Sequence, residues 1–114
     1  MVMKVTATAK DIGIPPRKVK LIVDMVRGKQ VDDALTMLRF VTSPAAQVVA
    51  KVIKSAAANA ENNHEMTSSD LKIVEILANE GRTAKRYRSQ ARGRVSPILR
   101  RSTHIVVTVS EEET

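Results

Sequence analysis

LKIVEILANEGRTAKRYRSQARGRVSPILRRSTHIVVTV, residues 71–109, decides the architecture of this chain. Its two ends, LKIVEILA (71–78) and THIVVTV (103–109), are rich in β-branched residues and read as strands. Residues 79–102 between them are too many for a loop without structure of its own. The simplest solution is that both strands continue past the body as an antiparallel ribbon turning near Ser89–Gly93. At ~3.3 Å per residue, about ten residues beyond the sheet reach roughly 35 Å, the width of a compact body of this size. A bare two-stranded ribbon is marginal in water, so this one needs a surface to lie against.

The same stretch carries the charge. No Asp or Glu occurs in the thirty residues from Gly81 to Ser110, whereas Arg82, Lys85, Arg86, Arg88, Arg92, Arg94, Arg100 and Arg101 all do. The chain holds 19 Lys plus Arg against 12 Asp plus Glu, so without those eight cations the rest is 11 against 12, a net −1. A solvated face interleaves acids with bases; a localised block of one sign is the footprint of a polyanion partner. Seven of the eight are arginines, suited to bidentate phosphate contact. The only aromatic among them is Tyr87, so the ribbon is not a stacking platform for single strands. Threading among the phosphates of a folded RNA, or wrapping DNA, fits it better.

Upstream, VMKVTATA (2–9) alternates as one strand before DIGIPP breaks it. Pro15 and Pro16 open a helix that stops at Gly28, with Val19, Ile22, Val23 and Val26 on its buried face. Arg17, Lys18 and Lys20 crowd the start of that helix, where the helix dipole is already positive. They are either plain surface cations or partners of an outside anion. A second helix is expected from about Val31 to Phe40, with Asp32 and Asp33 in its first turn and Ala34, Leu35, Leu38 and Val41 as its stripe. The third starts at Ser43 (N-cap) and Pro44, and buries Ala45, Val48, Val49, Val52, Ile53, Ala56, Ala57 and Ala60. Its alanine-rich later turns call for a backbone or sheet at close range. ENNHEMTSSD (61–70) reads as the polar loop that ends it, and SEEET as a short disordered acidic tail.

With 114 residues and one Trp-free aliphatic core, a single domain is expected. Zero Cys excludes disulfides and thiolate metal sites. No apolar run approaches the ~18 residues that span a bilayer, and no signal-peptide core is present, so a soluble intracellular protein is expected. No catalytic set, phosphate loop or metal-ligand spacing occurs; the expectation is no enzyme, no metal and no cofactor. His64 reads as a surface residue of the polar loop. His104 opens the last strand beside Arg100 and Arg101 and has two readings: a hydrogen bond inside the fold, the commoner use, or a phosphate contact.

Four segments, PRKVKLIVDMVRGK (16–29), SAAANAENN (55–63), DLKIVEILANEG (70–81) and ARGRVSPILRRSTHIVV (91–107), carry a resemblance to the L-twenty-two family of large-subunit ribosomal proteins, which runs from about Ala7 to Val109. It implies an α+β fold: three helices packed on a small antiparallel β-sheet with a long protruding basic β-hairpin. The corresponding division is a globular body at about 1–80 and 103–110, an extended hairpin at about 81–102 and an acidic tail at 111–114. It further implies a structural protein of the cytoplasmic large ribosomal subunit that supports subunit assembly and translation. Its body would lie near the peptide exit, with the hairpin lining the nascent-peptide tunnel. The implied partners are large-subunit ribosomal RNA, neighbouring large-subunit proteins and the nascent peptide, with no membrane and no second copy of the chain.

Carried over by position, Arg86, Arg88, Arg100 and Arg101 face RNA from the hairpin; the charge pattern adds Arg82, Lys85 and His104 as expected RNA contacts. Arg17, Lys18, Lys20, Arg27 and Lys29 contact it from the body, and Arg92, Gly93 and Arg94 form the tunnel-facing tip. The chain departs from the family where Arg82 replaces the usual Pro after Glu-Gly and where Ser89-Gln90 replace Pro-Arg before the turn. A competing class is an architectural DNA-bending protein with basic β-arms. Such arms favour an apolar or proline wedge at the tip, but here the tip reads Ser-Gln-Ala-Arg-Gly-Arg and Pro97 lies down the return strand.

Overall fold

The structure is a computed structural model that describes residues 4–64, 71–89, 93 and 95–111. The elements follow in the order β1 (Lys4–Ile12), α1 (Pro16–Val26), α2 (Val31–Arg39), α3 (Pro44–His64), β2 (Leu71–Ser89) and β3 (Val95–Glu111). The strands form one antiparallel sheet in the order β1-β3-β2, so the last strand is central. This is the expected α+β architecture, three helices on one face of a three-stranded sheet, with β2 and β3 running on beyond β1 as a hairpin.

Alternation sorts the sheet into two faces. Val5 and Ala7 of β1, Ile105, Val107 and Val109 of β3, and Ile73 and Ile76 of β2 are buried under the helices. Thr6, Thr8 and Leu77 point the other way and are exposed. Across that open face the hydroxyls of Thr6 and Thr108 meet at 3.2 Å.

The helices start and stop where their residues require. Pro16 stands in the first turn of α1, and Gly28 takes φ +80 just past its end, the left-handed geometry that closes a helix. Val19, Ile22, Val23 and Val26 are its buried face, as the spacing predicts. In α2, Ala34 and Leu38 are buried with Val31, which the stripe above omits. Ser43 caps α3, its Oγ accepting the Ala45 N–H at 3.3 Å. Ala45, Ala46, Val49, Val52, Ile53, Ala56 and Ala60 are buried, and α3 lies against β1 and β3. Small side chains at Ala45, Ala46, Ala56 and Ala60 are what a helix packed between a sheet and other helices can bury.

Three boundaries differ from the sequence reading. The strand β1 does not break at Asp11; it bulges between Ala9 and Ile12, with Asp11 at φ 55, and then pairs again, Ile12 against Thr103. An Asp tolerates the left-handed region, so the apparent breaker is a bulge residue. The helix α3 includes Glu61, Asn62 and Asn63, because no Gly or Pro interrupts it and these polar side chains face solvent. The strand β3 takes in Ser110, paired with Lys4, and Glu111, paired with Leu71, the first two residues of SEEET. Residues 65–70, the rest of the polar loop, and 112–114 of the tail lie outside the described residues.

The hairpin is paired without a break in strand from Thr83↔Arg101 to Ser89↔Val95. At ~3.3 Å per residue these seven pairs give about 20 Å of two-stranded ribbon before the turn. The molecule measures 67 × 26 × 18 Å with a radius of gyration of 17.3 Å, against about 13 Å for a compact chain of this length. The excess is the ribbon.

A candidate nucleic-acid interface at the root of the ribbon

Helix α1 buries its aliphatic stripe and so turns Arg17, Lys18 and Lys20 to solvent at its first two turns. The sheet carries the ribbon out beside that same helix end. Arg82 on β2 and Arg100 and Arg101 on β3 stand exposed where the ribbon leaves the body. Two clusters that are some sixty to eighty residues apart in the chain therefore face each other.

Two open clefts, each of about 580 Å³, lie between them. Lys18, Arg82, Arg100 and Arg101 line the first, with Asp11 and Ser102 in its wall. Arg17, Lys20 and Arg101 line the second, with Glu80. Pro15, Leu99 and Arg101 belong to both. Six cations and two acids thus surround the pair, an excess of four positive charges. None of the six charged side chains makes an ion pair or hydrogen bond with the described residues. Guanidinium groups grouped in this way can each take two phosphate oxygens, and an open cleft admits a bulky backbone where a closed pocket would not. The one half-exposed apolar side chain inside is Leu99, 48% exposed, which the charge pattern had no means of singling out.

The remaining sequence-predicted residues are placed as follows. Lys85 is exposed further out on the ribbon, opposite Leu99; the register sets Arg86 against Ile98 and Arg88 against Ser96. Tyr87 is 69% exposed opposite Pro97. Arg27 and Lys29 sit at the far end of α1, Arg27 about 10 to 15 Å along the helix from Lys20 and Arg17 in the clefts. Arg27 is engaged within the fold: its guanidinium donates to Asp24 Oδ1 at 2.8 Å and to the Ile76 carbonyl at 3.1 Å. The i,i+3 spacing of Asp24 and Arg27 is a signal that could have pointed to this brace. The Lys29 carbonyl accepts the Ile73 N–H at 2.9 Å, tying the same turn to β2. For His104 the structural reading holds in one respect, since its Nδ1 accepts the Asp11 N–H at 3.1 Å. Gly93 is exposed at φ +74 in the turn; Arg92 and Arg94 lie outside the described residues.

No group of three or more His, Cys, Asp or Glu that could hold a metal occurs among the described residues, and no helix there is long and apolar enough to cross a membrane.

Comparison with known proteins returns one family. The model described as ribosomal protein L22p/L17e matches residues 7–110. A large ribosomal subunit protein uL22 from Dehalococcoides mccartyi is 64% identical over 109 residues, covering 96% of this chain and all of that protein. Its counterpart from Clostridioides difficile is 50% identical over 97% of this chain and all of its own length. The one from Oceanobacillus iheyensis is 49% identical over 97% of this chain and 98% of its own.

Proposed function

The chain belongs to the ribosomal protein L22p/L17e family, and on that premise we propose that it is a structural RNA-binding protein of the large ribosomal subunit, not an enzyme. The observation that carries this is the convergence of Arg17, Lys18, Lys20, Arg82, Arg100 and Arg101 on two adjoining clefts. Like charges do not gather for their own stability, whereas a polyanion backbone passing between body and ribbon neutralises them. Large-subunit ribosomal RNA is that polyanion. Lys85, Arg86 and Arg88 extend the contact along the ribbon, Lys29 adds to it from the body, and Arg27 and His104 lie within reach of RNA while serving the fold.

The finer placement belongs to the same proposal. The body, one folded unit, lies among neighbouring large-subunit proteins near the peptide exit of a cytoplasmic ribosome, and the hairpin runs along the nascent-peptide tunnel. Arg92, Gly93 and Arg94 at the tip face the peptide. The family resemblance supports this, as does a ribbon that reaches about 20 Å past the sheet before it turns.

The test is a salt titration of binding to a transcript of large-subunit ribosomal RNA, with duplex DNA of equal length as the competitor. If about six phosphates are engaged, log K should fall against log salt with a slope of about −4 to −5. Equal affinity for the DNA, or a slope near zero, would overturn the reading.

A further inference from the structure

Three consecutive residues of β3 at the root of the ribbon, Ser102, Thr103 and His104, each hold the backbone of a different segment. Ser102 Oγ donates to the Arg82 carbonyl at 2.6 Å. Thr103 Oγ1, fully buried, donates to the Ile14 carbonyl at 2.6 Å. His104 Nδ1 accepts the Asp11 N–H at 3.1 Å. The strands on both sides of β3 are irregular at this level. The pairing of β2 shifts between Glu80 and Thr83, and that of β1 between Ala9 and Ile12. The ladder is therefore interrupted on both edges of β3 where the ribbon leaves the body, and side chains replace the missing backbone bonds.

Gly81 completes the arrangement. A Cβ at this position would meet Ser102 Oγ at 2.7 Å and the His104 ring at 3.0 and 3.2 Å. Ser102 cannot simply swing aside without giving up its bond to Arg82. The absence of a side chain at Gly81 is thus what allows β2 to lie against this set.

We propose that Ser102, Thr103, His104 and Gly81 are positioning residues for RNA binding: a joint that holds the ribbon cations at a set distance from those of α1. The inference rests on the RNA-binding reading above. Arg82 is fixed through its own carbonyl, and Arg101 precedes Ser102 in the chain. Ile14 leads directly into Pro15 and the cluster at Arg17–Lys20. The six cations repel one another, and without a neutral linkage the ribbon would swing away from α1. Held in place, they meet a phosphate backbone already arranged, and binding does not have to order them first.

The experiment uses the full chain, which has no cysteine of its own, labelled with spin probes at Lys54→Cys on α3 and Thr83→Cys on the ribbon. Pulsed dipolar spectroscopy then reads the distance between body and ribbon. The parent should give a narrow distribution. Gly81→Ala and Ser102→Ala should broaden it, weaken binding to the ribosomal RNA transcript about tenfold or more, and make the salt slope shallower by about one to two units. Ser102→Ala adds no bulk, so it decides the matter if Gly81→Ala fails to fold. If both the distance width and the slope match the parent, or if affinity falls only in step with thermal stability at constant slope, the joint has no positioning role. A parent that shows no salt-dependent binding would instead overturn the RNA reading itself, and this inference with it.

Discussion

The guanidinium of Arg27, at the C-terminal end of α1, reaches across to the carbonyl of Ile76 on β2 at 3.1 Å while holding Asp24 at 2.8 Å. Beside it the Lys29 carbonyl takes the Ile73 N–H, and Gln30 bridges to Lys72. Together these cover the free edge of β2 from Lys72 to Ile76, which would otherwise offer unpaired backbone groups to another chain. Arg27→Ala should lower stability by about 1–2 kcal/mol, less than the ~1.5–3 kcal/mol of a hydrogen bond to a charged group because the Arg27 side chain is half exposed. Its slope of RNA affinity against salt should stay close to that of the parent. Chemical denaturation and the salt titration, run on the same preparation, separate this role from phosphate contact; a slope shallower by about one would put Arg27 on the RNA.

The close contact of α3 with the sheet makes a second expectation. Ala56 is fully buried on α3, which packs against β1 and β3 and also against α1 and α2. Ala56→Leu should destabilise by about 1–3 kcal/mol through overpacking, read as a lower thermal midpoint. The same substitution at Ala58, exposed on the outer side of α3, should be nearly neutral.

Charge at the ribbon root should govern affinity more than any particular base. Replacing Arg100 and Arg101 together with Gln should weaken binding to the ribosomal RNA transcript and flatten the salt slope by up to about two units. An unchanged slope would mean that both guanidiniums stay in solvent when RNA is bound.

The tip should act on the tunnel and not on attachment. Arg92→Ala with Arg94→Ala should leave occupancy in purified large subunits nearly unchanged, because the cations lining both clefts remain. Ribosome pausing on stalling peptides, or the response to drugs bound in the tunnel, should change. Lost occupancy would place these two arginines among the anchoring residues, and normal occupancy with unaltered pausing and drug response would remove the role assigned to them.

Much of this molecule was legible from periodicity and charge. The stripe Val19, Ile22, Val23, Val26 and the β-branched runs at 71–78 and 103–109 announce their elements because burial on one face dictates their spacing. The ribbon followed from length alone. What periodicity cannot register is a local exception to it: Asp11 looks like a breaker because a left-handed bulge residue and a loop residue share the same chemistry. The clefts were half legible. Each basic cluster is visible in one dimension, but their meeting depends on where β3 leaves the sheet relative to α1. Ser102, Thr103 and Gly81 gave no signal as a unit, because a hydroxyl that bonds a distant carbonyl looks like any surface Ser or Thr.

The central position of β3 also sets the order in which the protein can be completed during synthesis. Thr6 meets Thr108 across 102 residues of chain, and every β1 pair has a comparable separation. At about 5–20 residues per second, β1 waits on the order of 5–20 s for the strand that pairs with it. The helices can form meanwhile, but the apolar faces of Val19, Val49 and Ile53 have no sheet to cover them until Val95–Glu111 has been made. Closure over so long a loop is entropically slow. The interval in which this chain exposes its core to other proteins is therefore set by its topology.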